Sequence, residues 1–187
     1  MEFDVAETGT PELVVSVEEQ KLFSRVDNDE EDALIEQLIR GVTQEAEDIT
    51  HRAFAPRTVV LSADLPAETA ELPVLPVLSV DSVKVDGEDV LPETFALAVP
   101  SSQRKRSRPA VFVPLDGFPE EGRLEIAVTA GTSRVPDPVV TWIKTRVSTL
   151  YEQRESHAMF NTGLKFTELG RDYSMALLDP YIIHGGF

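Results

Sequence analysis

The feature that most constrains this chain is a change in the spacing of its apolar residues, from helical to strand-like and back. Over residues 30–51 the apolar side chains recur at the 3.6-residue period of a helix. From Arg57 the period becomes two, which predicts short strands as far as Gly131. A helical pattern returns at Pro138. This order predicts an α+β fold, in which a small bundle of N-terminal and C-terminal helices lies beside an inserted antiparallel sheet or sandwich.

Local signals define the first two helices. Ser16 and Glu19 have the spacing of a capping box, which predicts a short helix from residue 16 to about residue 25. The acidic residues 27–32 come just before the apolar run of the second helix, predicted over 30–51. The free N–H groups and the dipole of a helix N-terminus favour negative charge, so we expect this cluster to cap the second helix.

The third helix is predicted over 138–156, with Pro138 in its first turn, where the missing N–H costs nothing. We expect it to pack on the second helix. Between them, residues 57–131 contain several prolines, which remove ladder donors and keep the predicted strands short. Asp86 and Gly87 follow an alternating run and predict a tight hairpin turn.

The chain divides into three predicted regions. Residues 1–15 contain glycine and proline breaks without any periodicity, and we interpret them as an N-terminal arm. Residues 16–156 hold all the long periodic segments and are predicted to form a single domain. Residues 157–187 are mixed in character and end in a short apolar stretch flanked by glycine, which we interpret as a C-terminal tail.

Charge and composition exclude several classes of protein. The chain of 187 residues has a net charge of −16, and its first fifty residues hold fifteen acidic side chains against three basic ones. A binder of free duplex DNA needs the opposite sign, because its cations must neutralise phosphates. Cysteine is absent, which removes disulfides and thiolate metal sites. The N-terminus does not resemble a signal peptide, and we expect a soluble protein that does not enter the membrane.

The sequence offers no convincing catalytic, cofactor or metal site. It lacks the glycine patterns that cradle nucleotides, and its three histidines do not form a metal-binding pair. Asp27, Asp29 and Glu31 have the spacing of a calcium loop, but Asp32 replaces the required glycine and Leu38 the required glutamate. We therefore expect no catalytic residue, cofactor or metal.

Two charged features are candidates for contacts between subunits or with a channel. The first is the basic run of Arg104, Lys105, Arg106 and Arg108, which interrupts an acidic chain between two predicted strands. It is either a solvated loop, or a cationic patch for an acidic partner, for nucleic acid or for the acidic N-terminal half of a neighbouring copy. The second is the pair Glu36 and Arg40, whose spacing brings them together on the outer face of the second helix.

Three blocks of the chain, in the same order, resemble the head–tail connector (adaptor) family of tailed bacteriophages. The first block is a short helix, a short acidic segment and a long helix. The second is a proline followed by two Ser-Val dipeptides and a hairpin. The third is a strand that ends in glycine, a turn with proline, and a helix whose last residues are acidic and basic. They correspond to Val14–Ile49, Pro76–Gly87 and Glu125–Glu155. The family's frequent Gly-Tyr is Gly131-Thr132 here, and residues 1–15 and 157–187 match nothing in the family pattern.

The resemblance implies a structural part of a tailed-phage particle, or of a phage-derived element, without enzymatic activity. Such adaptors form rings, commonly of twelve copies, beneath the portal protein. They extend the DNA channel, which DNA passes without being bound specifically, and they provide the platform for stopper or tail-completion proteins. The expected location is the head–tail interface of the particle, and the host cytoplasm during assembly.

The apolar C-terminus suits a peptide that becomes ordered when it binds. We therefore hypothesise that residues 172–187 insert into the portal, with Tyr181, Ile182, Ile183 and Phe187 as anchors. The alternative is that this tail folds back on its own core. For the whole protein, two further classes stay open at this stage: an enzyme that uses carboxylates, and an acidic mimic of DNA that inhibits a basic protein.

Overall fold

The computed structural model describes residues 2–100, 109–158 and 175–183, with the backbone alone for 154–158. Its described elements are helices and antiparallel strands, which confirms the α+β prediction. The chain separates into two compact units, and each is described by itself. We call Leu13–His51 with Arg134–Ile182 the helical unit, and Met1–Glu12, Arg52–Ser133 and Ile183–Phe187 the β unit.

The helical unit contains α1 (Val17–Ser24), α2 (Asp32–Thr50) and α3 (Asp137–Ala158). Ser16 caps α1 as predicted, because its hydroxyl accepts a hydrogen bond from the Glu19 N–H at 3.1 Å. The inward faces of α2 and α3 follow the predicted period, and both helices contribute fully buried residues to one interface. These include Ile35, Ile39 and Ala46 on α2, and Val139, Ile143 and Val147 on α3. The predicted packing of α3 on α2 is therefore confirmed.

The described strands of the β unit form two antiparallel sheets. Five of them have the order β1-β2-β8-β4-β5, and three have the order β3-β7-β6. In chain order the strands are β1 (Asp4–Thr8), β2 (Arg57–Asp64), β3 (Ala70–Glu71), β4 (Val77–Val85), β5 (Glu88–Asp89), β6 (Phe95–Ala98), β7 (Val111–Pro114) and β8 (Arg123–Ala130). The prediction of an antiparallel sheet or sandwich inserted between helices is confirmed.

Strands from both sheets contribute to one hydrophobic core. Alternate residues of β8, namely Leu124, Ile126 and Val128, are fully buried, and Phe112 of β7 belongs to the same cluster. The alternation of apolar and polar residues in the sequence therefore corresponds to burial of one face of each strand. Phe112 stacks near Phe95 with ring centroids 6.2 Å apart, and its ring meets that of Phe118 edge to face at 5.5 Å.

The predicted hairpin turn joins β4 to β5. Val85 pairs with Glu88 across it, so Asp86 and Gly87 are the two turn residues. Their φ angles are 52° and 86°, both in the left-handed region that a type I′ turn requires. The Asp-Gly dipeptide therefore sets the register of this hairpin, as the sequence indicated.

The N-terminal arm contains a strand that the sequence did not predict. Asp4–Thr8 forms β1 and pairs with β2 at the edge of the larger sheet. All five of its side chains are exposed, so it has no alternation of apolar and polar residues to reveal it. Backbone pairing holds it, assisted by ion pairs from Arg123 to Asp4 at 2.9 Å and from Arg57 to Glu7 at 3.1 Å.

Candidate assembly surfaces

A buried polar cluster fixes α1 against α3 inside the helical unit. Gln20 is only 1% exposed, and its amide nitrogen lies within hydrogen-bonding distance of three acceptors: Ser24 Oγ at 2.8 Å, Ser148 Oγ at 3.1 Å and the Lys144 carbonyl oxygen at 3.1 Å. The two serine hydroxyls are themselves 2.7 Å apart. A buried amide is costly unless it is paired, so this cluster favours one alignment of the two helices.

The acidic step before α2 does not cap that helix with a side chain, which corrects the expectation from sequence. The residue at the N-cap position is Glu31, and its side chain makes no capping hydrogen bond. Asp29 and Asp32 instead bind the ammonium group of Lys21 on α1. The hydrogen bond from Lys21 is the main reason that the pKa of Asp29 is lowered, and the bonds to Asp29 and Asp32 raise the pKa of Lys21. A tertiary ion pair therefore competes successfully with local capping.

Of the two charged candidates, one is within the described residues. Arg40 Nη2 lies 2.8 Å from Glu36 Oε1, so the predicted ion pair on α2 is confirmed. Its role in contacts between subunits stays a prediction. The basic run of Arg104, Lys105, Arg106 and Arg108 lies outside the described residues.

The candidate docking residues of the tail differ in their surroundings. Tyr181 ends a 3₁₀ turn (Asp179–Tyr181) and is only 8% exposed, next to the fully buried Leu178. Ile182 and Ile183 are half-buried, and Phe187 lies outside the described residues. Docking on a portal stays a prediction. For Tyr181 it requires that the aromatic side chain first leave its packing within the chain.

Helix α1 presents two apolar side chains that the sequence analysis did not single out. Leu22 is 83% exposed and Phe23 is 48% exposed. They are adjacent and lie outside the stripe that α1 buries, so the only signal in the sequence was a pair of large apolar residues on a short polar helix. Exposed apolar residues that lie together are typical of surfaces that contact other proteins.

A cavity with an acidic lining lies in the β unit, and the sequence analysis missed it as well. Its volume is about 800 Å³. The apolar part of the lining includes Leu115 and Phe118, and four acidic residues complete it: Glu93, Asp116, Glu120 and Glu121. We call it the acidic cavity. Its residues come from three separate segments of the chain, and the adjacent acidic pair at 120–121 was the one local signal.

The described part of the chain contains no group of three or more histidine and carboxylate side chains that could hold a metal ion. It also has no helix that is long and apolar enough to span a bilayer. The described residues offer three candidate contact surfaces: an exposed apolar pair on α1, an ion pair on α2 and the acidic cavity.

Comparison with protein families shows which class of protein this chain resembles. Residues 14–95 match the family described as phage gp6-like head-tail connector protein. This match confirms the resemblance found in the sequence and supports a structural role as a connector. The block Glu125–Glu155 lies outside the matched residues. A search of curated proteins found no match.

Solved structures with the same fold come from gene transfer agent particles. A chain in the neck of an empty particle, computed with C6 symmetry, is 21% identical with a TM-score of 0.70; one in the native virion is 20% identical, also at 0.70. A chain in the native neck, computed with C12 symmetry, is 20% identical with a TM-score of 0.65. In each case the similarity covers 98% of this chain and 97% of the other. This family and these neighbours are structural components of particles.

Proposed function

We propose that this protein is the ring adaptor of a head–tail interface. Twelve copies form a ring beneath the portal protein, extend the DNA channel and provide the platform for stopper or tail-completion proteins. The match of residues 14–95 to the head-tail connector family carries this proposal. The protein acts by binding its neighbours and has no reacting substrate. It is located at the head–tail interface of the particle, and during assembly it is in the host cytoplasm.

The fold likeness supports a ring in particular. Chains with this fold occur in particle necks that were computed with C6 and C12 symmetry. A ring of twelve identical copies is compatible with both symmetries. Ring subunits join through heterologous contacts, in which two different surfaces of the same protein meet. The proposal therefore requires two complementary surfaces on this chain.

The charge of the chain supports passage of DNA. A net charge of −16 repels phosphates over most of the surface, so DNA would slide through such a ring without being held. We propose that the C-terminal tail contacts the portal, through the half-buried Ile182 and Ile183 together with Phe187. Tyr181 joins them only after leaving its packing within the chain.

The test of this function is co-sedimentation of the full chain with the portal protein. We expect the wild-type chain to sediment with the portal and a chain without residues 182–187 to stay in the supernatant. This deletion spares the buried Tyr181, so we expect the rest of the fold to be preserved. The control is Leu91→Ser, which changes a side chain that is 63% exposed in the β unit and should bind normally. Normal binding by the deletion variant would exclude the tail as the contact, and no binding by the wild type would exclude the adaptor function.

A further inference from the structure

The acidic cavity lies at one end of the β6–β7 hairpin. In this hairpin Phe95 pairs with Pro114, and Ala98 pairs with Val111. Glu93 comes just before the first pair, while Leu115 and the other acidic residues of the cavity follow it. The cavity is therefore built at the Phe95–Pro114 end, and the chain crosses between the two strands at the Ala98–Val111 end.

The acidic cavity brings four carboxylates together. Across the described segments, none of the four takes part in an ion pair. Some acidic side chains elsewhere do pair with a cation, as Glu45 does with Arg146, Glu36 with Arg40 and Asp64 with Arg123. Unpaired charges of one sign around a cleft focus the electrostatic field into it. The cavity therefore attracts a cationic group.

The apolar part of the lining restricts the occupant further. Leu115 is 45% exposed and Phe118 forms one wall, so the occupant must cover apolar surface as well as neutralise carboxylates. Arginine and lysine side chains do both, because long aliphatic stems carry their charged groups. The best fit is a short peptide segment with several such side chains.

This chain itself contains such a segment. Arg104, Lys105, Arg106 and Arg108 place four cations within five residues of a protein whose net charge is −16. The segment belongs to the connection between β6 and β7, which leaves the hairpin at the Ala98–Val111 end. The cavity and the origin of this connection are thus separated by the length of the hairpin, about 10 Å for three residue steps.

We propose that the basic segment 104–108 of one copy binds the acidic cavity of the next copy. This inference deepens the proposed function and rests on it, since it names the two surfaces that a heterologous ring contact requires. A cavity at one end of the hairpin, and a basic segment in the connection that leaves its other end, allow copies to join head to tail, and each added copy presents a new free cavity. The ring closes when the last basic segment reaches the first cavity.

Charge reversal on one side and then on both tests the proposal. One variant carries Arg104→Glu, Lys105→Glu, Arg106→Glu and Arg108→Glu, and a second carries Glu93→Lys, Asp116→Lys, Glu120→Lys and Glu121→Lys. Each variant alone should lose ring formation on the portal, as observed by electron microscopy, because like charges then meet at every contact. An equimolar mixture should recover rings, since each segment now faces a cavity of opposite sign in the other variant.

The outcomes separate this contact from other occupants. If the segment binds the cavity of its own copy, the mixture of the two variants forms no rings, whereas a single chain that carries all eight changes does form them. That result would overturn the proposal. If the segment contacts DNA or another protein, the cavity variant forms rings normally, which overturns it too. The matched control is Glu12→Lys, Glu18→Lys, Glu71→Lys and Glu88→Lys, which changes the net charge equally at exposed sites outside the cavity and should form rings.

Cross-linking distinguishes a failure of this contact from a failure of the proposed function. Because the chain has no cysteine, Ser107→Cys and Leu115→Cys variants each carry one reactive thiol. A mixture of the two on the portal should give a covalent dimer with a short bifunctional thiol reagent. Wild-type rings without that dimer would overturn the contact alone, whereas absence of wild-type rings would overturn both the adaptor function and the contact that rests on it.

Discussion

The two units of this protein use their polar groups in different ways. The helical unit places polar groups in contacts between its helices, through the buried amide of Gln20 and through ion pairs such as Arg146 with Glu45. The β unit also has ion pairs, such as Arg123 with Asp4, but these lie at its surface. The β unit has a core cluster composed of hydrophobic residues, and at one end it leaves four carboxylates of the acidic cavity without a described ion-pair partner. The difference indicates which charges maintain the fold and which are available to a neighbour.

The strongest test of the comparison addresses the apolar core of the β unit. Phe112→Ala removes a fully buried ring that contacts two other aromatic rings. We expect the free energy of unfolding to fall by about 3–5 kcal/mol, measured by denaturant titration. Leu115→Ala is the control, because that side chain is 45% exposed, and its effect should be within about 0.5 kcal/mol. A loss below about 1 kcal/mol for Phe112→Ala would contradict the assignment of this core.

The next effect concerns backbone geometry, where one glycine of each unit can be compared. Gly131 has a φ of 125°, and an added Cβ would lie 2.8 Å from the Cα of Pro56. Gly131→Ala should therefore lower the free energy of unfolding by about 2–3 kcal/mol. Gly41 of α2 has open space within 4 Å, so Gly41→Ala should raise it by about 1 kcal/mol. Thermal unfolding of both variants checks that the two changes in the free energy of unfolding have opposite signs. Equal changes would contradict the geometry described for both glycines.

The third effect tests the polar cluster of the helical unit. Gln20→Leu removes the donor that links Ser24, Ser148 and the Lys144 carbonyl. We expect a loss of about 1–2 kcal/mol in the free energy of unfolding, because the remaining buried polar groups lose a partner. Gln37→Leu, at an exposed position of α2, provides the control. If both variants were equally stable, the cluster would not contribute to the alignment of α1 and α3.

The smallest effect is the dependence of stability on pH. Because Lys21 lowers the pKa of Asp29, the pair stabilises the fold above the unfolded carboxyl pKa and loses its effect as the pH falls through the folded value. Lys21 itself has a raised pKa, so its contribution persists at neutral pH and disappears only in strong base. Lys21→Met should thus lower the Tm slightly at pH 7 and leave it unchanged well below about pH 4. Arg134→Met, which breaks a largely exposed ion pair with Asp137, should not shift the Tm at either pH.

Periodicity predicted the helices and most of the strands, because in those elements burial follows the local geometry. It failed for β1, whose side chains are all exposed and whose position depends on pairing with β2. It also failed for the acidic step before α2, where Lys21 of another helix determines the partner of Asp29. Both failures have one cause: the deciding contact comes from a distant part of the chain.

The acidic cavity could not be predicted from the sequence, for a related reason. Its carboxylates at positions 93, 116 and 120–121 come together only when strands β6 and β7 pair. With 33 acidic residues in the chain, neither their type nor their number marks these four. The basic segment 104–108 was visible at once because it opposes the charge of the chain. Its candidate partner required the fold.

The central claim is that copies of this chain form a ring on the portal, and electron microscopy of the full-length chain mixed with the portal protein tests it most directly. We expect a closed ring of twelve copies beneath the portal, with an open axial channel. Portal particles that stay bare at saturating concentrations of the chain would contradict the claim, as would copies that bind singly without contacting one another.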